Sequence, residues 1–286
     1  MDGHRAAVKA ALATNEALEK LIGRMGTNAH PRGAVMRVYG TARRALAQAE
    51  NVGQVRDALM TLRSAMWKVG FDLVAAAAAI GRVQAQAEAE AYDLPVIGQN
   101  DGVGAMQSLE AWLAALDGQI AQATGMYVAS RDVTLLVGDD GRSGIVTPGP
   151  VVREGARWLA VVAVASATLA VEASVRGGGG RQRVFVRQAV AALDERTTEC
   201  CLRVHGQTVA MDEPFHLNGT PRFADTVMAP PFHWYCRSAV ALVPVELADD
   251  ALSREMRAAA ADEAAARAAS GGQRVVIHPA SATSRR

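Results

Sequence analysis

Two short stretches, "TTECCLRVHG" (197–206) and "APPFHWYCRS" (229–238), hold all three cysteines of the chain, and each stretch also holds a histidine. In the first, Cys201 and His205 lie four residues apart, a spacing that places both side chains on one face of a helical turn. In the second, His233 and Cys236 lie three apart, close enough to converge on one ion. Two sulfurs and two imidazoles form the ligand set of closed tetrahedral zinc sites. We therefore predict a structural zinc site with these four ligands.

Two further residues are substitute ligands. Cys200 is adjacent to Cys201 in the chain, and His216 lies between the two ligand pairs. The segment between the two ligand pairs has little hydrophobic periodicity, so metal binding would help to order it. Cysteine and histidine also occur in ordinary protein cores, and a metal-free core is the alternative interpretation.

The composition favours packed helices. Half of the 286 residues are hydrophobic and 5% are aromatic, which is typical of close helix packing rather than of a β-sandwich. With 30 basic and 29 acidic residues, the net charge gives no case for bulk DNA or membrane binding. The first fifteen residues lack an apolar signal segment. The apolar run 158–171 is shorter than the roughly twenty residues of a membrane span. We expect a buried helix there and no membrane partner.

Residues 1–128 read as a helical hairpin or bundle. Apolar residues recur with alternating spacings of four and three, which places them on one stripe of a helix. The first stripe comprises Val55, Leu59, Leu62, Met66, Val69, Leu73, Ala76, Ile80 and Val83, and the second comprises Leu109, Leu113, Leu116, Ile120, Ala123 and Tyr127. The stripes pack within the chain or against another subunit, so self-association through these helices is a further expectation.

The rest of the chain changes character. Residues 129–150 suggest a β-hairpin connector turning at Asp139-Asp140-Gly141. Residues 151–248 suggest a small domain that contains a helix, a flexible "RGGGGR" connector (176–181), a strand and a closing strand at 239–247. Residues 249–286 suggest a weakly anchored Ala-rich helix and a disordered tail. The predicted fold class is α+β: a mainly helical N-terminal region followed by a small α+β metal-stapled C-terminal domain.

Two other functions remain open on the residues alone. A zinc-dependent hydrolase or toxin-like enzyme would use the same cluster, with Asp194 or Glu195 orienting a histidine and Glu199 or Asp225 as general base. A zinc-knuckle module that binds nucleic acid would use a group of basic residues. That group comprises Arg176, Arg181, Arg183 and Arg187. We expect a protein that is not an enzyme, because no catalytic signature accompanies the cysteines.

The segments "ALDERTTECCLRVHGQTV" and "PPFHWYCRSAVALV" resemble the C-terminal domain of the phage head morphogenesis family, the minor head proteins like the F protein of bacteriophage Mu. The family pattern is Asp-x-Arg-Thr, a Cys or His, a Gly, and later a Pro-x-His-x-x-Cys-Arg segment. The matching residues are Asp194, Arg196, Thr197, Cys201, Gly206, Pro231, His233, Cys236 and Arg237. Many members carry a cysteine where this chain has Thr198. The resemblance then implies His205 or Cys200 as the substitute ligand.

The resemblance covers roughly residues 151–247 and implies a structural role in head assembly near the portal of a tailed phage or prophage. The partners it implies are portal and capsid proteins, with packaged DNA as a further expectation. The location it implies is the virion, and the bacterial host cytoplasm during assembly. Asp194 and Arg237 carry opposite charges beside the two ligand pairs, so we also hypothesise that they form an ion pair linking the two segments.

Overall fold

The computed structural model describes residues 2–26, 33–95, 102–138, 144–177, 184–217, 225–233 and 236–270. Within these ranges the α-helices are α1 (Asp2–Met25), α2 (Ala34–Ala47), α3 (Val52–Ala91), α4 (Gly102–Ser130), α5 (Thr134–Val137), α6 (Pro148–Gly177), α7 (Glu199–Val204) and α8 (Ala251–Ala269). The strands are β1 (Phe185–Val190), β2 (Thr208–Val209), β3 (Phe215–His216), β4 (Thr226–Val227) and β5 (Ala239–Pro244), and a 3₁₀ helix spans Val245–Leu247. Long helices followed by short strands confirm the predicted α+β class.

The predicted stripe on α3 holds for its first half only. Leu59, Leu62, Met66 and Leu73 are buried as expected, but Val83 is 69% exposed. After Leu73 the buried face moves on by one position, to a set that includes Val74, Ala77, Ala78, Gln84, Ala85, Glu88 and Ala89. The physical reason is that a strict 3.5-residue repeat drifts around a straight helix of 3.6 residues per turn.

Helix α4 follows its predicted stripe closely. Leu109, Leu113, Leu116, Ala123 and Tyr127 are all buried. Trp112 lies beside them with no exposed surface, and its indole N–H donates to the carbonyl of Val151 at 2.8 Å. The Trp112 ring lies so close to Gly155 that a Cβ atom there would be 2.4 Å from it. The absence of a side chain at Gly155 therefore leaves room for the indole ring of Trp112, the largest fully buried side chain among the described residues.

The β-hairpin predicted for residues 129–150 is wrong. Helix α4 continues to Ser130, and Thr134–Val137 forms the short helix α5. The predicted turn at Asp139-Asp140-Gly141 lies outside the described residues. Backbone N–H groups of Ile145 and Val146 donate to the carbonyls of Leu135 and Leu136. Leu136 and Val137 are therefore buried by one helical turn, and two backbone bonds join this turn to the next segment without a strand pair.

A small antiparallel sheet has the strand order β2-β1-β5, and β3 and β4 form a separate pair. In the larger sheet β1 pairs along its whole length with β5, from Phe185 opposite Pro244 to Val190 opposite Ala239. Both strands are buried at every position. This explains the continuous apolar sequence of β5, whereas β1 also buries the polar residues Arg187 and Gln188. The strands expected near 184–190 and at 239–247 are thus present, the second ending at Pro244 before the 3₁₀ helix.

The outer edge of β5 is covered by polar side chains of α3. The amide of Gln84 donates to the carbonyl of Val240 at 2.6 Å and to the carboxyl of Glu88 at 2.7 Å. The N–H of Leu242 donates to Glu88 at 3.4 Å. These contacts satisfy backbone groups that β1 does not reach, so this edge cannot accept another strand.

The chain divides into two compact units. One unit comprises residues 1–18, 79–99 and 163–286 and contains the sheet, α7 and α8. The other comprises residues 19–78 and 100–162 and contains α2, α4 and α5. The units alternate along the chain, whereas the division predicted from sequence was consecutive. Residues 1–18 and 79–99 thus belong with the sheet and its cysteines.

Helices α3 and α6 are long and apolar enough to cross a membrane by length and composition. Their most apolar 18-residue windows have mean hydropathies of 1.2 and 1.8, with 39% and 50% of the window buried inside the protein. Core helices of water-soluble proteins pass the same test, so the two helices are weak evidence for a membrane span. The segment 158–171 lies within α6, as expected for a helix.

Candidate metal centre

Two chain segments bring the cysteines together. Helix α7 begins at Glu199 and carries Cys200 and Cys201, and the segment that precedes β5 carries His233 and Cys236. All three cysteines are free thiols with buried side chains. The apolar cluster around them includes Phe215 and Phe232. Their rings form a T-shaped, edge-to-face pair with centroids 5.7 Å apart. This apolar surrounding shields the sulfurs from water.

The donor atoms are close enough to share one ion. The sulfur of Cys201 lies 3.1 Å from Nε2 of His233 and 3.9 Å from the sulfur of Cys236. The donor atoms of Cys200, Cys201 and His233 all lie within 4.8 Å of one another. A zinc–sulfur bond of about 2.3 Å in a tetrahedral site places two sulfurs about 3.8 Å apart. The Cys200, Cys201 and His233 group can therefore hold a metal ion, with Cys236 beside it.

Hydrogen bonds among the thiols distribute charge within this centre. Hydrogen bonds with the sulfurs of Cys200 and Cys236, together with burial, raise the pKa of the Cys201 thiol. The bond from Cys201 lowers the pKa of Cys200 to about 6, against the opposing effect of burial. Burial also raises the pKa of Cys236, but bonds from Cys201 and His233 outweigh it and lower the net value. Thiolates are the form that binds metal.

Two hydroxyl groups support the sulfurs from outside. Ser238 donates from Oγ to the sulfur of Cys201 at 3.2 Å. Oγ1 of Thr198 lies 3.0 Å from the sulfur of Cys200. Partners of this kind orient ligands and are a regular feature of metal sites. Thr198 therefore supports a ligand from the position at which many members of the resembled family carry a cysteine.

His205 lies elsewhere, contrary to the predicted ligand set. Helix α7 ends at Val204, and His205 has a non-helical backbone with φ −57° and ψ 123°, so the four-residue spacing no longer places it beside Cys201. Its Nδ1 accepts the N–H of Ala191 at 3.0 Å. Burial lowers the pKa of His205 to about 4, so at neutral pH the proton sits on Nε2 and no nitrogen lone pair remains for a metal.

The two substitute ligands have different positions. Cys200 belongs to the group of converging donors. His216 lies on β3 with an exposed side chain, and the metal-binding group found among the described residues does not include it. The donors that converge are thus those of Cys200, Cys201 and His233, and the sulfur of Cys236 lies 3.9 Å from that of Cys201.

The hypothesised ion pair between the two segments is confirmed. The guanidinium of Arg237 donates to both carboxylate oxygens of Asp194, at 2.7 and 2.6 Å. Burial raises the pKa of Asp194, but the bonds and charge of Arg237 outweigh it and hold the pKa below its ordinary value. A two-bond arginine–carboxylate pair fixes orientation as well as distance. It ties the residue that follows Cys236 to the loop that precedes α7.

Other motif residues shape the same loop. The hydroxyl of Thr197 donates to the carbonyl of Ala192 and accepts the N–H of Asp194 at 3.0 Å. The N–H of Arg196 donates to the Asp194 carboxylate at 3.0 Å. Gly206 has φ +74°, and a Cβ there would lie 2.8 Å from Cβ of Met256. Both the backbone conformation and the close contact require glycine.

The sequence analysis missed Arg267 of α8. Its guanidinium donates to the carbonyls of Asp194, at 3.0 Å, and Thr197, and to the buried carboxylate of Glu263 at 2.5 Å. Buried positions recur along α8 at Ser253, Met256, Ala260 and Glu263, so the expectation of a weakly anchored helix is wrong. The four-residue spacing of Glu263 and Arg267, which allows an ion pair on one helix face, is the sequence signal for the Glu263 contact.

The structure gives the surroundings of the other candidate residues where it describes them. The carboxylate of Asp194 is bound by Arg237, and the side chains of Glu195, Glu199 and Asp225 are exposed. Arg187 is buried and donates to the carbonyls of Met228 and Glu213. Its side chain thus connects β1 to two loop segments. Arg176 pairs with Glu172. Arg181 and Arg183, like Trp234, Tyr235 and the expected tail 271–286, lie outside the described residues.

Comparison of the chain with protein-family models, with curated proteins and with solved structures finds no match.

Proposed function

We propose that the chain is a structural minor head protein of a tailed phage or prophage, which acts in head assembly near the portal. Its C-terminal module binds one structural zinc ion through Cys200, Cys201, His233 and Cys236. The observation that carries the proposal is the meeting of the two motif segments, joined by the Asp194–Arg237 pair. The resemblance to the head morphogenesis family rests on the residues of these same two segments.

Zinc is the metal that suits this donor set. Three thiolates and one imidazole are soft and borderline ligands, which favour zinc over magnesium or calcium. Four protein ligands complete a tetrahedral shell and leave no position for a reacting water, as in closed structural sites. Glu199 and Asp225, the carboxylates considered as bases, are exposed. These points favour a structural ion over a hydrolytic one.

The ligand set is tested by metal content. We expect one zinc per wild-type chain by inductively coupled plasma mass spectrometry, and less than about a tenth of that in Cys236→Ser and Cys200→Ser, because each substitution removes a thiolate. His205→Asn keeps an oxygen acceptor for the N–H of Ala191 and should retain zinc. The exposed His216→Ala is the matched control. Zinc retained by Cys200→Ser but lost from His205→Asn would restore the ligand set predicted from sequence.

The role in the head is tested separately. Heads purified from the phage or prophage that encodes the chain are expected to contain it at a few copies per portal, measured by quantitative mass spectrometry. Deletion of its gene is expected to reduce the yield of filled heads. Normal heads that lack the chain would contradict the structural role, whatever the metal content.

A further inference from the structure

Helix α3 carries a second apolar face that the described residues leave about half exposed. Met60, Trp67 and Phe71 are 50%, 41% and 44% exposed, while Leu62 and Met66, on the opposite side of the same turns, are buried. Met60, Trp67 and Phe71 follow helical spacings of seven and four, so they share one face. We call this the outer face of α3. A helix that is apolar on two sides usually has a partner on each.

Two stacked aromatic rings lie on the outer face, and residues of opposite charge lie beside them. The rings of Trp67 and Phe71 are stacked, with centroids 5.5 Å apart and planes at 17°. Lys68 and Asp72 follow them in the sequence, on one flank of the face, and both are exposed. Among the described residues neither has an ion-pair partner, whereas Arg63 on the same helix forms a two-bond pair with Asp117.

We propose that the outer face of α3 binds a second copy of this chain in an antiparallel, two-fold arrangement. A two-fold axis through the middle of Trp67–Asp72 places each aromatic stack on the other. It also places Lys68 of one copy opposite Asp72 of the second, twice, because residues on one flank stay on that flank under this rotation. A parallel two-fold pairing would place Lys68 and Asp72 of the two copies on opposite flanks, where they could not face each other. The charge pattern therefore selects the antiparallel pair.

A lipid surface is the competing occupant, because α3 is also long and apolar enough to span a membrane. The charges on the flank argue against it. Arg56, Asp57, Arg63, Lys68 and Asp72 lie along the same half of the helix, and charged groups are costly in a hydrocarbon layer. An occupant that supplies matching charges suits this face better.

The test uses charge exchange on the full-length protein, with association measured by sedimentation equilibrium. We expect wild-type dimers that weaken at least about fivefold in Lys68→Glu and in Asp72→Lys, since each substitution sets two pairs of like charges opposite each other. The double exchange Lys68→Glu with Asp72→Lys is expected to restore the wild-type dissociation constant to within about twofold. Only a self-complementary antiparallel pair is rescued in this way.

Two further variants complete the test. Trp67→Ser with Phe71→Ser is expected to abolish the dimer, and Val128→Ser, which alters a residue 50% exposed on α4, is the control that should leave it intact. A wild-type chain that stays monomeric at about 100 µM would overturn the proposal. So would a double charge exchange that fails to restore the dimer. Binding of wild-type chain to phosphatidylcholine–phosphatidylglycerol vesicles, lost in the double serine variant, would assign the face to lipid instead.

Discussion

Single residues show where spacing in the sequence stops predicting position. Cys201 and His205 have the separation of one helical turn, but α7 ends between them at Val204. Cys200, with no favourable spacing, lies in the group of converging donors. The ligand set thus depends on where one short helix stops.

Glu88 is a second residue whose role emerges only in the fold. Its carboxyl is buried against β5, and burial raises its pKa from 4.5 to about 8, against the lowering effect of the bonds from Gln84 and Leu242. Between about pH 4.5 and 8 the folded chain therefore keeps a proton that the unfolded chain has lost. Folding stability contributed by this group is complete below the unfolded pKa and falls as pH rises to the folded pKa.

Glu88→Gln should remove this pH dependence, because an amide has the same shape and no proton to lose. From pH 5 to 8 we expect the free energy of unfolding of wild type to fall by up to about 1.4 kcal/mol per pH unit relative to the variant. Urea unfolding at several pH values, with excess zinc present for both proteins, gives this difference. Parallel curves for the two proteins would show that Glu88 ionises normally in the folded state.

Helix α8 is the element whose importance the sequence conceals. Its alanine-rich composition suggests that few side chains anchor it. However, the carboxylate of its N-cap residue Asp250 accepts the N–H of Ser253 at 2.9 Å and lies 2.8 Å from Nδ1 of His4. At its other end Arg267 bonds the carbonyls of the loop that precedes α7. The helix therefore holds the loop that carries the Asp194 half of the motif ion pair. The C-terminal module extends at least to α8.

Arg267→Ala should destabilise the C-terminal module by about 2–4 kcal/mol, because it leaves the buried Glu263 carboxylate without its cation. Guanidinium unfolding followed by circular dichroism measures the loss. Adding Glu263→Ala is expected to recover part of it by removing the uncompensated charge. The matched control is Arg254→Ala on the same helix, whose guanidinium is 64% exposed, with an expected change under about 0.5 kcal/mol. Equal effects of both arginines would refute the anchoring role.

At the level of the whole molecule, the compact units do not follow the order of the chain. Helices α1, α3 and α6 each contribute residues to both units. In the unit with the cysteines, residues from distant parts of the chain contact the strands. His4, near the N-terminus, bonds Gln188 of β1, and Gln84 and Glu88 of α3 bond the edge of β5. Deletion of the first half of the chain would therefore remove part of the core of the cysteine-containing unit.

Removal of the proposed zinc should loosen one unit selectively. In hydrogen–deuterium exchange after chelation, we expect exchange at least about tenfold faster in β1, α7 and β5, because the ligands join these elements. The helical core around Trp112 is expected to keep its protection, since Trp112 is held by Val151 and by no metal ligand. A uniform increase over the whole chain would show that the two units unfold as one.

The amino-acid sequence by itself determined the long helices, the pairing potential of the two buried strands and the cysteines and histidine that could hold a metal. These are local properties: apolar periodicity over several turns, β-branched runs, and the presence of sulfur and imidazole in two short segments. The tertiary structure alone decided which sulfur and imidazole donors converge, how the edge of β5 is covered and how α8 is anchored. Each of these depends on groups distant in sequence, such as Arg267 with Asp194 or Glu88 with Leu242. A buried polar group has to find a partner wherever the packed chain provides one, and no local spacing encodes that partner.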